Sequence, residues 1–169
     1  MPVKDAEILK TVGKIAEHFQ NNISNRFVRR AVMTVQMPQA RWDLLENLPL
    51  QFDYHRQQGF QYDELYELVL AGAQFVYEAR THLVPNLKTM LNQGTEAMFS
   101  HGNAGGAGQE RTLRDMAVKA FPENLGILTD LVNELYVKTV SLDREQHKKT
   151  PPVCDSMPEL KDLGRLLVN

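Results

Sequence analysis

Apolar residues along this chain recur at intervals of three and four, the spacing of helices rather than of strands. The clearest stretch runs from Gln61 to Leu91. On an axis turning about 100° per residue, Leu65, Leu68, Val69, Gly72, Phe75, Val76, Ala79 and Leu83 form one stripe. Tyr62, Tyr66, Leu70, Ala73 and Tyr77 form a second beside it. Asp63, Glu64, Glu67, Gln74, Glu78, Thr81 and His82 fill the remaining arc. Two stripes over more than half the circumference predict an interior helix, because a surface helix needs only one.

The rest of the chain supplies partners for that spine. Leu9, Val12, Ile15, Ala16, Phe19 and Ile23 predict a first amphipathic helix closed at Asn21 and Asn22. A second, capped by Ser24, carries Phe27, Val28, Ala31, Val32 and Val35 on one face and Arg26, Arg29 and Arg30 opposite. Residues 31–37 read as helix or as a short strand, since Met33, Val35 and Met37 alternate before Pro38. Trp42, Leu45 and Leu48 mark a short helix stopped by Pro49. Residues 50–58 mark another, ended by Gly59. Pro85 is expected to kink or divide the spine. A capping box at Thr112 and Asp115 precedes Leu113, Met116, Ala117 and Ala120. Pro122 opens a last long helix with Leu125, Leu128, Val132, Leu135 and Leu142 inward.

The pattern predicts an all-α, single-domain helical bundle of about four principal helices with short connecting helices. The bundle takes residues 1–147, with a glycine-rich loop over 93–109. Residues 148–155 form a proline-containing tether, and 156–169 a short amphipathic helix capped by Ser156 and Glu159.

Composition narrows the function classes. At 169 residues, 43% hydrophobic and 24% charged, the chain can bury a core without staples. A formal charge of -2 excludes the strongly basic balance of a non-specific nucleic-acid binder. The single cysteine, Cys154, permits no intrachain disulfide, which points to a reducing, cytoplasmic setting. No apolar run reaches the length of a membrane span, and the N-terminus has no signal-peptide pattern.

Candidate chemistry is sparse. Gly102 to Gly108 could cradle phosphate before a helix, yet Gln109 follows where a P-loop needs Gly-Lys, so the stretch reads as a linker. Glu78 and His82, with Glu17 and His18, are the nearest approach to metal-ligand spacing, but Glu78 and His82 lie on the polar arc of the spine, as an ordinary ion pair does. His18, His55, His82, His101 and His147 have no nucleophile at a nominating spacing, and Cys154 lacks the setting that lowers a thiol pKa. The words from Gly59 to Leu68 resemble the entry to a helix-turn-helix in regulators of the sigma-factor kind. Tyr66 then stands where a small residue is expected, no turn residue arrives before Gly72, and no basic recognition helix follows.

Two surfaces are left. Leu160, Leu163 and Leu167 on the C-terminal helix have the spacing of groove anchors, and Arg26, Arg29 and Arg30 form a cationic face. The expectation is a non-enzymatic cytoplasmic protein that binds a protein partner or forms a homodimer, with no catalytic residue and no cofactor assigned. One alternative is a small-ligand or metal-binding bundle with a pocket near Tyr62, Tyr66, Tyr77 and Arg80. The other is a DNA-binding regulator, with nucleic acid the less favoured partner.

Overall fold

A computed structural model describes residues 2–92 and 104–168 of the chain. The principal elements are α1 (Ala6–His18), α2 (Arg29–Val32), α3 (Gln39–Gln58), α4 (Tyr62–Glu78), a helical stretch α5 at 87–92, α6 (Ala104–Gln146) and α7 (Leu163–Leu167). Among the described residues there is no strand, and one isolated bridge joins Val3 to Phe60.

The architecture is a four-helix bundle in which α1, α3, α4 and α6 each run antiparallel to their two neighbours. Phe52 of α3 meets Gly13 of α1, and Trp42 of α3 meets Phe75 of α4. Tyr66 of α4, and Arg80 in the π-helical turn that follows it, bond to Asp143 and Thr129 of α6. Glu7 and His18 of α1 pair with Lys138 and Asn124 of α6. Of the connections, the one from α3 to α4 through Gly59, Phe60 and Gln61 is short, which favours those two helices as antiparallel neighbours.

Local chemistry explains the helix ends. The Asp5 carboxylate accepts from the N–H groups of Glu7 and Ile8 at 3.0 and 3.1 Å, filling orphan donors at the start of α1. Glu64 reaches back to the Gln61 N–H at 2.9 Å and does the same for α4. Gly59 ends α3 at φ 84, and a Cβ there would lie 2.8 Å from Pro2 and 2.9 Å from the Val3 carbonyl. That approach lets Val3 and Phe60 exchange main-chain hydrogen bonds, which close the α3–α4 hairpin over the N-terminus.

Both stripes of the spine are covered. Every residue of the first is buried, as are Tyr62, Tyr66, Leu70 and Ala73 of the second, with Tyr77 half-buried. Phe75 is fully enclosed, with the Phe19 and Trp42 rings edge-on at 5.4 and 5.7 Å. At Pro85 the spine passes through a π-helical turn (Ala79–Leu83) and a 3₁₀ turn (Val84–Asn86) before α5.

Several local expectations are corrected. Pro49 and Pro122 do not bound helices: α3 and α6 run through them. An interior proline costs about 3 kcal/mol. Burial of each large apolar side chain on either side, such as Leu45, Leu48, Phe121 and Leu125, returns about 1.5–3 kcal/mol. Thr112 and Asp115 are interior to α6, where the Thr112 hydroxyl donates to the Gly108 carbonyl at 3.0 Å instead of capping. Of the expected loop 93–109, residues 93–103 lie outside the described residues, and the chain is helical from Ala104.

The first helix does not close at Asn21 and Asn22 but continues as a π-helical turn (Phe19–Ile23). Asn25, not Ser24, receives the N–H groups of Phe27 and Val28, and α2 is four residues long. Its helix ends at Val32, and residues 35–38 form neither helix nor strand, with the Val35 carbonyl accepting from the Trp42 indole at 2.9 Å.

The C-terminal region departs most. Of the helix expected over 156–169, the described residues 156–168 do not form one helix. Two 3₁₀ turns (Val153–Ser156 and Pro158–Asp162) lead into α7, and the Ser156 hydroxyl donates to the Val153 carbonyl rather than capping. The segment lies along α4 from Tyr66 to Arg80, with Leu160 5% and Leu163 3% exposed.

Candidate functional site

The most unusual side chain in the bundle is Asp143, an acidic residue with no exposed surface near the end of α6. Oδ2 accepts from the Tyr66 hydroxyl at 2.7 Å and from the Cys154 N–H at 2.9 Å. Oδ1 accepts from the Val153 N–H at 3.0 Å and lies 2.8 Å from His147 Nδ1. His147 Nδ1 is also 2.8 Å from the Asp143 main-chain carbonyl, so both its neighbours are acceptors and this nitrogen carries the proton. Tyr62 sets its ring edge-on to His147, 5.5 Å away, and gives its hydroxyl to Gln146.

Electrostatics follow from that geometry. Burial alone would push the Asp143 carboxyl up, but the donors from Tyr66, Val153, Cys154 and His147 outweigh it and hold the group below its ordinary value. The Tyr66 phenol is pushed far up by burial and by Asp143. Tyr62 is pushed up to about 12 by burial and then by Asp143, Asp5 and Glu145. Burial, then the Asp143 charge, also raises the Cys154 thiol, which keeps it protonated and a poor nucleophile.

A carboxylate offers about four acceptor positions, and Asp143 has four donors. It has no lone pair left to act as a base. The arrangement is a clamp, in which a charge on α6 holds two backbone N–H groups of the C-terminal segment and a tyrosine of α4 in one network.

The residues nominated from sequence are dispersed. Tyr62 and Tyr66 belong to this clamp. Tyr77 lines a separate cleft of about 390 Å³ beside Arg41, Gln74 and Arg165. Arg80 donates to the Val168 carbonyl at 2.8 Å and to the Thr129 hydroxyl at 3.5 Å. The four make no common pocket. Leu160 and Leu163 are core residues of their own chain, and Leu167 packs against that core, because the segment docks in cis. Arg26 lies over the Phe27 ring at 4.6 Å, and Arg29 pairs with Glu46 at 3.5 Å and with the Ser24 hydroxyl. Arg30 is exposed on the same element. Glu78 and His82 form the expected ion pair at 3.5 Å, while His18 bonds to the Asn124 carbonyl at 2.9 Å. Among the described residues no group of three metal-ligating side chains occurs.

The second feature of note is an apolar surface on α6. This helix has 43 residues, about 65 Å at 1.5 Å per residue. The α1 side of the bundle stops where Asn124 accepts from His18 and donates to the Asn22 carbonyl. The part of α6 before Asn124 therefore extends past α1 as an arm. On it Leu113 is 44% and Met116 62% exposed, with Ile127, 43% exposed, at its base. Leu113 and Met116 belong to the apolar pattern that the sequence places after Thr112 and Asp115. The stripe points where α1 would lie if it were longer.

No protein-family model, curated protein or solved structure matches the chain. Among the described residues no helix is long and apolar enough to cross a membrane.

Proposed function

We propose that this protein is a non-enzymatic binding protein whose α6 arm receives an amphipathic helix of a protein partner. One observation carries the reading: Leu113, Met116 and Ile127 fall within about 60° of each other on the helix and are all substantially exposed. Exposed apolar residues on one face of a helix, here Leu113 and Met116 with Ile127 beyond Asn124, are the receiving half of helix-on-helix recognition. Ala117 and Ala120 beside it keep the surface shallow enough for a second helix to approach. The saturation of Asp143 supports binding over catalysis, since the most buried charge is spent on structure. The free Cys154 fits a reducing compartment, and we assign the protein to the cytoplasm.

The test is a photoreactive amino acid placed singly at position 113, 116 or 115 of the full chain in its native cell. The expected result is one adduct of discrete mass at 113 and 116, absent at Asp115 on the other face and lost when Leu113→Asp is combined with the probe at 116. Equal adducts on both faces, or none, would overturn the reading.

A further inference from the structure

We propose that the groove along α4 also docks residues 153–167 of a second copy, so that two chains form a reciprocal dimer by exchanging their C-terminal segments. The surface is distinct from the α6 arm, and its occupant is visible in cis. Three observations carry the inference.

The first is that the segment owns no structure of its own. Its elements are four, five and five residues long, far below the roughly 12 that an isolated helix needs in water. What orders it is the groove: Asp143 takes its two N–H groups, Leu160 and Leu163 are buried, Arg41 pairs with Glu159, and Arg80 holds the Val168 carbonyl. An undocked segment is complementary to one surface whose composition is known, the same groove on another copy.

The second is the hinge. α6 ends at Gln146, yet Val153 and Cys154 are back at the level of Asp143, so residues 147–152 reverse the chain within a few residues. The turn is confined to residues 147–150, and Pro152 is already extended at φ -64 and ψ 154, so Pro151 and Pro152 form a stiff leg that leads into the segment. A short, stiff hinge is the setting in which exchange between copies replaces closure within one, because only residues 147–150 need to change course and every groove contact is remade in trans.

The third is that the clamp is selective. The carboxylate asks for two adjacent N–H groups with leucines following at fixed distance, and Val153 to Leu163 supply that pattern. The wild-type monomer satisfies it internally, so exchange is governed by concentration and by the rate of release.

Complementation between full-length chains tests this. One chain carries Asp143→Asn, which spoils the groove, and the other carries Leu160→Asp with Leu163→Asp, which spoils the segment. Each alone should run at 19.3 kDa in light scattering, and a mixture should yield a species of twice that mass, since one intact groove then meets one intact segment. Adding Leu113→Asp and Met116→Asp to both chains should leave the doubled mass in place, which separates exchange from association through the arm. A mixture that stays at the monomer mass would overturn the proposal. If either variant fails to fold, a chain lacking Lys148, Lys149 and Thr150 decides: too short to turn back, it should be dimeric, and a folded monomer would refute exchange.

Discussion

Asp143 shows how one residue can tie three elements together. Replacing it by Asn keeps the shape but removes the charge and puts an amide donor against other donors, a loss of about 2–3 kcal/mol for a charged hydrogen-bonding group. Its pH dependence has a definite sign. The folded carboxyl lies below its ordinary value, so its contribution is complete above the unfolded carboxylate range near about pH 4 and disappears as the pH falls through the folded value. Denaturation midpoints of wild type should drop between neutral and acid pH more than those of Asp143→Asn. Parallel curves would refute the clamp. At the alkaline end, Tyr62 is raised to about 12 and Tyr66 also upward, so their stabilisation is full below about pH 10 and is lost as the pH rises through the folded values. Of the five tyrosines, two should therefore ionise only as the protein unfolds, seen as a late step in ultraviolet absorbance. The sequence carried a signal for Asp143. With Thr139 it continues the Leu128, Val132, Leu135 stripe of α6, placing polar groups at core positions. What spacing could not supply was the donors, because Val153 and Cys154 reach it only through a chain reversal.

Among the elements, α4 and α6 are locked at Gly72. A Cβ there would come within 2.7 Å of Val132 Cγ2, so the two helices approach closely because a side chain is missing. Gly72→Ala should cost about 1–3 kcal/mol by overpacking. Gly126, on α6 with open space around it, makes the opposite case: Gly126→Ala should stabilise by about 0.5–1 kcal/mol. Thermal unfolding of the pair checks both signs at once. The two-sided burial of the spine makes a parallel statement. Phe75→Ala should destabilise by about 3–5 kcal/mol, and Glu67→Ala on the polar arc by less than about 0.5 kcal/mol. Similar shifts in chemical denaturation at both positions would show that the arc is not solvated as described.

At the scale of the molecule, the C-terminal segment is the last wall of the core. On the second stripe of α4, whose Tyr62 and Tyr66 hydroxyls reach α6, the segment supplies the remaining cover, laying Cys154 beside Tyr66 and Glu159 to Leu166 beside Leu70 and Tyr77. Removing residues 151–169 would expose that stripe and strand a buried carboxylate. The expected loss is at least about 3 kcal/mol, since two leucines contribute about 1.5–3 kcal/mol each and the clamp adds to that. A truncated protein with an unchanged denaturation midpoint would mean that the segment is a passive tail.

The division between sequence and tertiary structure follows from the range of each interaction. Periodicity is local, so the sequence alone determined the all-α class, the inward face of α1 and the two-stripe interior position of α4. The capping of α1 at Asp5 and the stop at Gly59 are equally local. Tertiary structure decided whatever depended on a competitor. Pro49 and Pro122 break isolated helices, but the core contacts on both sides outweigh one lost hydrogen bond. Leu113 and Met116 have the spacing of buried residues, yet they are exposed because α1 ends at the level of Asn124, a fact of another helix's length. The C-terminal leucines demand a groove from their spacing alone. That the groove lies on α4 was decided by tertiary structure, because Asp143 is satisfied only when the N–H groups of Val153 and Cys154 reach it.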